Sequence, residues 1–187
     1  MAMPSSGAGW TVEMVQALPE DGQRYEVIDG ELIVSPSPSV LHQVVVSELV
    51  ARLRAYLRGS RLAFAAAAPA DVAFSRDTLV QPDVFVAPLT DGRLPANWAE
   101  MERIILAIEV HSPSTARTDR GAKRRLYQRE GVREYWIVDA DAGSFERWRP
   151  GDLRPEILLD RITWQLDGAS APLVIELREF FAELLEG

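Results

Sequence analysis

One segment constrains the fold of this chain more than any other. From Ile104 to Val110 the residues are apolar except for Glu109 near the end. A short, continuous apolar run of this kind reads as a strand buried on both faces. A Ser/Pro turn follows, Ser112-Pro113-Ser114-Thr115, which can cap a helix. A helical stretch then runs from about Ala116 to Glu130, Gly131 stops it, and Tyr135 to Val138 forms the next buried strand. With the flanking elements, this order of helices and strands predicts a mixed α/β domain with a central sheet.

The flanks add elements to that core. Trp10, Val12, Met14, Val15 and Leu18 predict a short helix ended by Pro19. Asp29-Gly30 between Tyr25–Ile28 and Glu31–Val34 predicts a hairpin. After the Ser/Pro loop of residues 35–39, apolar residues from Leu41 to Leu57 recur at helical spacing, and Gly59 closes the helix. Ala70–Phe74 and Thr78–Ala87 read as strands, and residues 88–102 as a polar loop. Ser144–Arg149, Ile157–Leu159 and Ile162–Leu166 read as a strand meander. Leu173–Leu185 begins extended and becomes an amphipathic helix through Phe180, Phe181, Leu184 and Leu185. Residues 1–9 are expected to form a flexible tail, and 10–187 a single domain with its core over about 20–140.

Composition narrows the chemistry. With 187 residues, 47% hydrophobic and 26% charged, the chain can bury a real core and is not wholly disordered. The alanine-rich run Leu62–Ala70 falls far short of the roughly 20 apolar residues a membrane span needs. The N-terminus lacks the basic start and apolar block of a secretory signal, so a cytoplasmic protein without membrane contact is expected. There is no cysteine, which excludes disulfides, thiolate zinc sites, iron–sulfur clusters and cysteine nucleophiles. The two histidines, His42 and His111, are too few for a multi-histidine metal centre. Any metal would therefore be held mostly by carboxylates and be a hard ion such as magnesium or manganese. A net charge of −8 argues against a broad basic surface, though not against a local basic patch. Of the 20 basic residues only Lys123 is a lysine; the other 19 are arginine, a balance that suggests a high-GC bacterial genome.

Two acids, Asp83 and Glu109, sit in apolar strand-like segments. An isolated buried carboxylate costs several kcal/mol unless it is paired, protonated or bound to a cation. Two on neighbouring strands repel, and a divalent cation removes that cost. Glu109 and His111 are two residues apart, so on a strand they face the same side. In the helix that follows, Arg120, Lys123 and Tyr127 are spaced to share a face. The single lysine thus stands near the end of the strand that carries Glu109.

These residues carry a resemblance. Pro82-Asp83 followed by Glu109 near the end of an apolar strand resembles the PD-(D/E)XK nuclease signature. A larger ordered set resembles the Uma-type family of restriction-endonuclease-like proteins. The set comprises Tyr25 to Glu31, His42-Gln43, Gln81-Pro82-Asp83, Ile108 to Thr115, Asp119-Arg120 with Lys123 and Tyr127, and Gly131 to Trp136. The resemblance implies a restriction-endonuclease-like core, a mixed sheet flanked by helices, and metal-dependent phosphodiester hydrolysis with Mg2+, for which Mn2+ would substitute. It implies catalytic Asp83, Glu109 and Lys123, with the metal on Asp83, Glu109 and the Val110 backbone carbonyl. The lysine expected two residues after the glutamate is replaced here by His111, and Lys123 from the next helix would supply it. A bound metal would polarise a phosphoryl oxygen and lower the pKa of a bound water. Lys123 would orient or help deprotonate that water and stabilise charge on the phosphorane, a proton exchange arginine cannot offer.

Glu26 and His42 have two readings each. They extend the acidic cluster, or they serve as hairpin packing and a capping contact. Arg120 and Arg124 on the basic helix are candidates for gripping nucleic acid, expected to be DNA. Tyr135 and Trp136 could stack on bases, but their buried-strand pattern points to the core. Two other functions compete with the nuclease: a catalytically weak nucleic-acid-binding or interaction module, and another metal-dependent phosphohydrolase. A homodimer is a further expectation, with Phe180 and Phe181 either at the contact or capping the core.

Overall fold

The computed structural model describes residues 9–98, 101, 103–112 and 114–186. The expected tail, apart from Gly9, lies outside the described residues, as do Pro113 of the Ser/Pro turn and the side chain of Leu185. In chain order the elements are α1 (Val12–Gln16), β1 (Arg24–Ile28), β2 (Glu31–Ser35), α2 (Val40–Leu57), β3 (Ala63–Ala67), β4 (Val72–Ser75), β5 (Thr78–Val80), β6 (Val84–Pro88) and β7 (Leu106–Val110). A helix in three parts follows: α3 (Ala116–Thr118), a π-helical turn (Asp119–Lys123) and α4 (Arg124–Arg129). The chain ends with β8 (Glu134–Asp139), β9 (Ser144–Trp148), β10 (Glu156–Leu158), β11 (Arg161–Trp164), β12 (Leu173–Glu176) and α5 (Leu177–Glu186). None of the described helices is long and apolar enough to cross a membrane.

Six strands form the main sheet in the order β10-β9-β8-β7-β6-β3, in which β7 and β8 pair parallel and the other pairs are antiparallel. This is the mixed sheet that the family resemblance implies, with the helix making the crossover between β7 and β8. A second sheet, β2-β1-β5-β4, is antiparallel throughout. Its β1–β2 turn is the expected Asp29-Gly30, with φ of 52° and 79°, as a two-residue hairpin turn of this type requires. The N-terminal segment leans on that turn, where the Trp10 N–H donates to the Gly30 carbonyl at 2.8 Å.

Alternation along the strands divides the core in two. Val84, Val86, Leu106, Ile108 and Trp136 pack with Val45, Leu49 and Leu53 of α2 and with Phe180 of α5. Phe85, Ala107, Tyr135 and Ile137 face the other way, toward Leu126 and Tyr127 of α4 and Ile28 and Val80 of the second sheet. Tyr135 and Trp136 are therefore core residues and offer no surface for base stacking.

Two expectations need correction, and two points the sequence left open are resolved. Ile162–Leu166 does not extend the meander, because β11 leaves the main sheet and pairs with β12 in a separate two-stranded sheet. The alanines of residues 63–67 form edge strand β3, which weak intrinsic strand preference hides; pairing with β6 and packing under α2 impose it. Residues 78–87 are two strands in different sheets, because the chain crosses between sheets at Gln81-Pro82-Asp83 and Pro82 has no N–H to give a ladder. Phe180 is fully buried against its own chain, its ring 5.9 Å from that of Phe145, so it caps the core and is not available for a dimer contact. Truncation there leaves a cavity in a close-packed face. Phe180→Ala is expected to lower stability by about 3–5 kcal/mol in urea unfolding, without change in the oligomeric state read by light scattering.

Candidate active site

Strand register brings the acids together. Val84 pairs with Ile108 across β6 and β7, so one step further along Asp83 lies opposite Glu109. Ile108 and Val110 face α2, which turns Glu109 to the opposite side, and the same alternation turns Asp83 with Phe85. On β1, Arg24 and Glu26 share the face of Ile28, which packs on that same side. Lys123 and Tyr127 reach in from the helix above. His42 comes from the first turn of α2, whose N-cap Ser39 side chain accepts from the His42 N–H at 3.2 Å. Here, at the seam between the two sheets, lies a cavity of about 270 Å³ walled by Arg24, Glu26, His42, Asp83, Glu109 and Lys123. Asp119, His111 and the Val110 main chain line it too, beside the hydroxyl-rich segments at 35–39 and 112–115.

The bonds form one network. Asp83 Oδ1 accepts from Arg24 Nη1 at 2.6 Å, and Oδ2 from the Val110 N–H at 2.8 Å. His42 Nε2 lies 2.9 Å from the same Oδ2, and since an ionised carboxylate only accepts, Nε2 is the donor. Lys123 Nζ bridges Glu26 Oε1 and Glu109 Oε1, at 2.9 Å each. Tyr127 donates to Glu109 Oε1 at 3.0 Å, and the Gln81 N–H donates to Glu26 Oε1 at 2.7 Å. Asp119 is only 1% exposed and its Oδ2 has no hydrogen-bond partner; the Nδ1 atoms of His42 and His111 are likewise buried and unpartnered.

Environment separates the carboxylates. Burial opposes ionisation of Asp83, yet the His42 hydrogen bond and the charges of Arg24, His42 and Lys123 outweigh it and hold its pKa at about 2. Burial pushes Glu109 well above the carboxylate range; Lys123 counters this, and Asp83, Asp119 and Glu26 add to it. Asp119 is raised by burial, against the pull of Lys123 and a Thr115 hydrogen bond. Burial works against the Lys123 ammonium, but Glu109, Glu26, Asp119 and Asp83 more than restore it and hold it charged.

This is a hard-oxygen donor set of four buried carboxylates, with the unpartnered Asp119 Oδ2 among them, and it suits a divalent cation such as magnesium. Among the described residues no three acidic or histidine groups form a ready-made cation cage. Both oxygens of Asp83 are engaged, by Arg24 on one side and by His42 and the Val110 N–H on the other.

The structure brings Asp83, Glu109, Lys123, Glu26, His42, His111 and Tyr127 together. It does not bring Arg120 or Arg124. Arg120 turns to Glu146, with Nε 2.7 Å from Oε1, and the Arg124 guanidinium lies 4.9 Å over the Trp148 ring. The π turn explains the difference. Its wider spacing gives the site every fourth residue, Asp119, Lys123 and Tyr127, and rotates Arg120 away. Sequence reasoning missed Arg24, and it quoted Asp119 in the family motif without assigning it to the site. The available signals were the position of Arg24 two residues before Glu26 and the four-residue interval from Asp119 to Lys123.

A family model described as Uma2, putative restriction endonuclease, matches residues 12–178. The crystal structure of a protein described as a putative nuclease belonging to DUF820, from Anabaena variabilis, superposes with a TM-score of 0.76. The two are 22% identical, and the match covers 94% of this chain and 99% of that one. At that identity the likeness shows the fold. No curated protein matches this chain.

Asp119 supplies a test of the site's cost to stability. Its raised pKa means the folded state favours the protonated form, so that advantage is complete below the ordinary carboxylate range and is lost as pH rises. Asp119→Asn is expected to stabilise the metal-free protein at pH 7 by about 1 kcal/mol, or roughly 3 °C in Tm. The gain should vanish as pH falls toward about 4, near the unfolded aspartate pKa. Thermal unfolding of both proteins across pH in chelator checks this.

Proposed function

The chain belongs to the Uma2 family of putative restriction endonucleases, and from that premise we propose that it is a metal-dependent nuclease hydrolysing phosphodiester bonds in DNA. One observation carries the reading: Asp83, Glu109 and Lys123 converge in one cavity at the edge of the mixed sheet. The structural neighbour, itself described as a putative nuclease, has the same fold.

Asp83, Glu109 and the Val110 carbonyl would hold Mg2+, with Mn2+ able to replace it. Bound there, the ion supplies Lewis-acid stabilisation of a phosphoryl oxygen and lowers the pKa of a coordinated water. The protein's own groups do the rest. Lys123, fixed between Glu26 and Glu109, presents a positive charge to the phosphorane and orients the attacking water. Its carboxylate neighbours keep it protonated, so it acts through charge and hydrogen bonding and not as a base. Tyr127 fixes the Glu109 carboxylate, and His42 fixes Asp83. Arg24, which donates to Asp83 Oδ1, would neutralise that carboxylate and could meet a phosphate oxygen at the cavity wall.

The test is cleavage of plasmid and linear DNA by the purified chain with Mg2+ or Mn2+. Asp83→Ala and Glu109→Gln are expected to abolish cleavage and to remove any rise in Tm caused by Mn2+. Lys123→Ala should lose about 10²–10³-fold in kcat, the usual effect of removing one transition-state donor. Cleavage retained by Glu109→Gln, or a Mn2+-dependent Tm shift that survives Asp83→Ala, overturns the proposal. If the folded wild type binds DNA without cutting it, the reading gives way to a binding module on the same fold.

A further inference from the structure

Most arginines near the site are already engaged. Arg120 pairs with Glu146, and Arg124 covers Trp148. Arg129 donates to both oxygens of Asp29, at 3.0 and 2.9 Å, and Arg133 pairs with Asp167. Arg117 and Arg125 are different. Both are exposed, and neither has an ion pair or hydrogen bond among the described residues. Asp29 lies close enough to Arg125 for its charge to be felt, but it is committed to Arg129.

These two arginines border one groove. Its lining comprises Arg117, Thr118, Gly121, Ala122 and Arg125 from the three-part helix and Glu31 and Ile33 from β2. Thr118 lines both this groove and the acidic cavity, so the two depressions meet at that residue. Gly121 keeps the floor low: a Cβ there would meet nothing within 4 Å. A polyanion held at the cavity therefore lies next to a groove bordered by two uncommitted guanidinium groups, in a chain whose net charge is −8.

We propose that this groove is a phosphate-binding track, in which Arg117 and Arg125 hold the nucleic-acid strand on one side of the scissile bond. The track rests on the nuclease reading for its substrate and deepens it by assigning the strand's path. Guanidinium groups suit phosphate oxygens through paired N–H donors. Contacts of this kind position the strand without reading its sequence. Glu31 opposes the strand at the groove's edge and moderates its hold.

The experiment uses the full chain and a fluorescein-labelled single-stranded DNA of about 15 nucleotides. Anisotropy is titrated in Ca2+ between 50 and roughly 200 mM NaCl, the range in which phosphate contacts show their salt dependence. The Arg117→Ala/Arg125→Ala variant is expected to bind roughly tenfold more weakly and to lose about 1–2 from the salt slope, as removal of two phosphate contacts should. In Mn2+ its KM should rise while kcat at saturating DNA stays near wild type. Arg120→Ala/Arg124→Ala, in the same helix, should keep the wild-type slope. Gly121→Glu should weaken binding without lowering Tm, and Glu31→Gln should tighten it by about two- to threefold.

An unchanged salt slope in Arg117→Ala/Arg125→Ala overturns the track, and the nuclease reading still stands if that protein cuts DNA. A slope that depends on these arginines in a wild type that never cuts supports the track while the nuclease reading falls. A folded wild type that does not bind the DNA overturns both.

Discussion

Lys123 joins two carboxylates that belong to different sheets, Glu26 from the four-stranded one and Glu109 from the six-stranded one. Without that ammonium the seam would hold like charges on side chains that are almost wholly buried. Breaking a buried pair of this kind costs about 3–5 kcal/mol, because it leaves a charge with no compensation. The seam could be filled more stably by apolar side chains. What the polar arrangement provides is four carboxylates gathered at one cavity, with Asp119 left short of a partner. Stability is given up where chemistry needs charge, and the apolar faces on either side of the main sheet make up the difference.

The geometry around Lys123 follows from backbone features that act at a distance from it. The crossing at Gln81-Pro82-Asp83 takes the chain from one sheet to the other and leaves Asp83 at the seam. The π turn at Asp119–Lys123 sets which helical side chains look inward. Uniform α-helix would also keep residues four apart near one another, but it would leave Arg120 closer to the site face. The turn separates the two, so that the inward line carries acid, ammonium and phenol while the arginine pairs across to Glu146 on β9.

The site was largely legible because its residues are chemically out of place. Glu109 interrupts an apolar run, Asp83 follows a proline in another, and Lys123 is the only lysine among arginines. Arg24 and Asp119 carried no such mark: an arginine at a strand start and an aspartate in a polar helix turn are ordinary, and only tertiary packing brings them to the cavity. The main sheet was legible from β7, the helix and β8, where the hydrophobic pattern and the local turns agree. Strand β3 was not, because alanine has little strand preference and the pairing with β6 that makes it a strand is a long-range event. The two-strand nature of residues 78–87 was hidden because both halves are apolar and only their sheet partners distinguish them.

Which arginine binds what is the least legible property of all. The five arginines of the helical segment 116–129 look alike in sequence, and periodicity assigned the site face to Arg120. The fold distributes partners unevenly: Glu146 takes Arg120, Trp148 takes Arg124 and Asp29 takes Arg129. An acidic protein can still hold a polyanion, because screening over about 8–10 Å at physiological salt makes the near field matter more than the net charge. A guanidinium already neutralised by a carboxylate contributes little to that near field. The useful cations in such a chain are therefore among those the fold leaves unpaired, and in this helical segment Arg117 and Arg125 border a single groove that shares Thr118 with the carboxylate cavity.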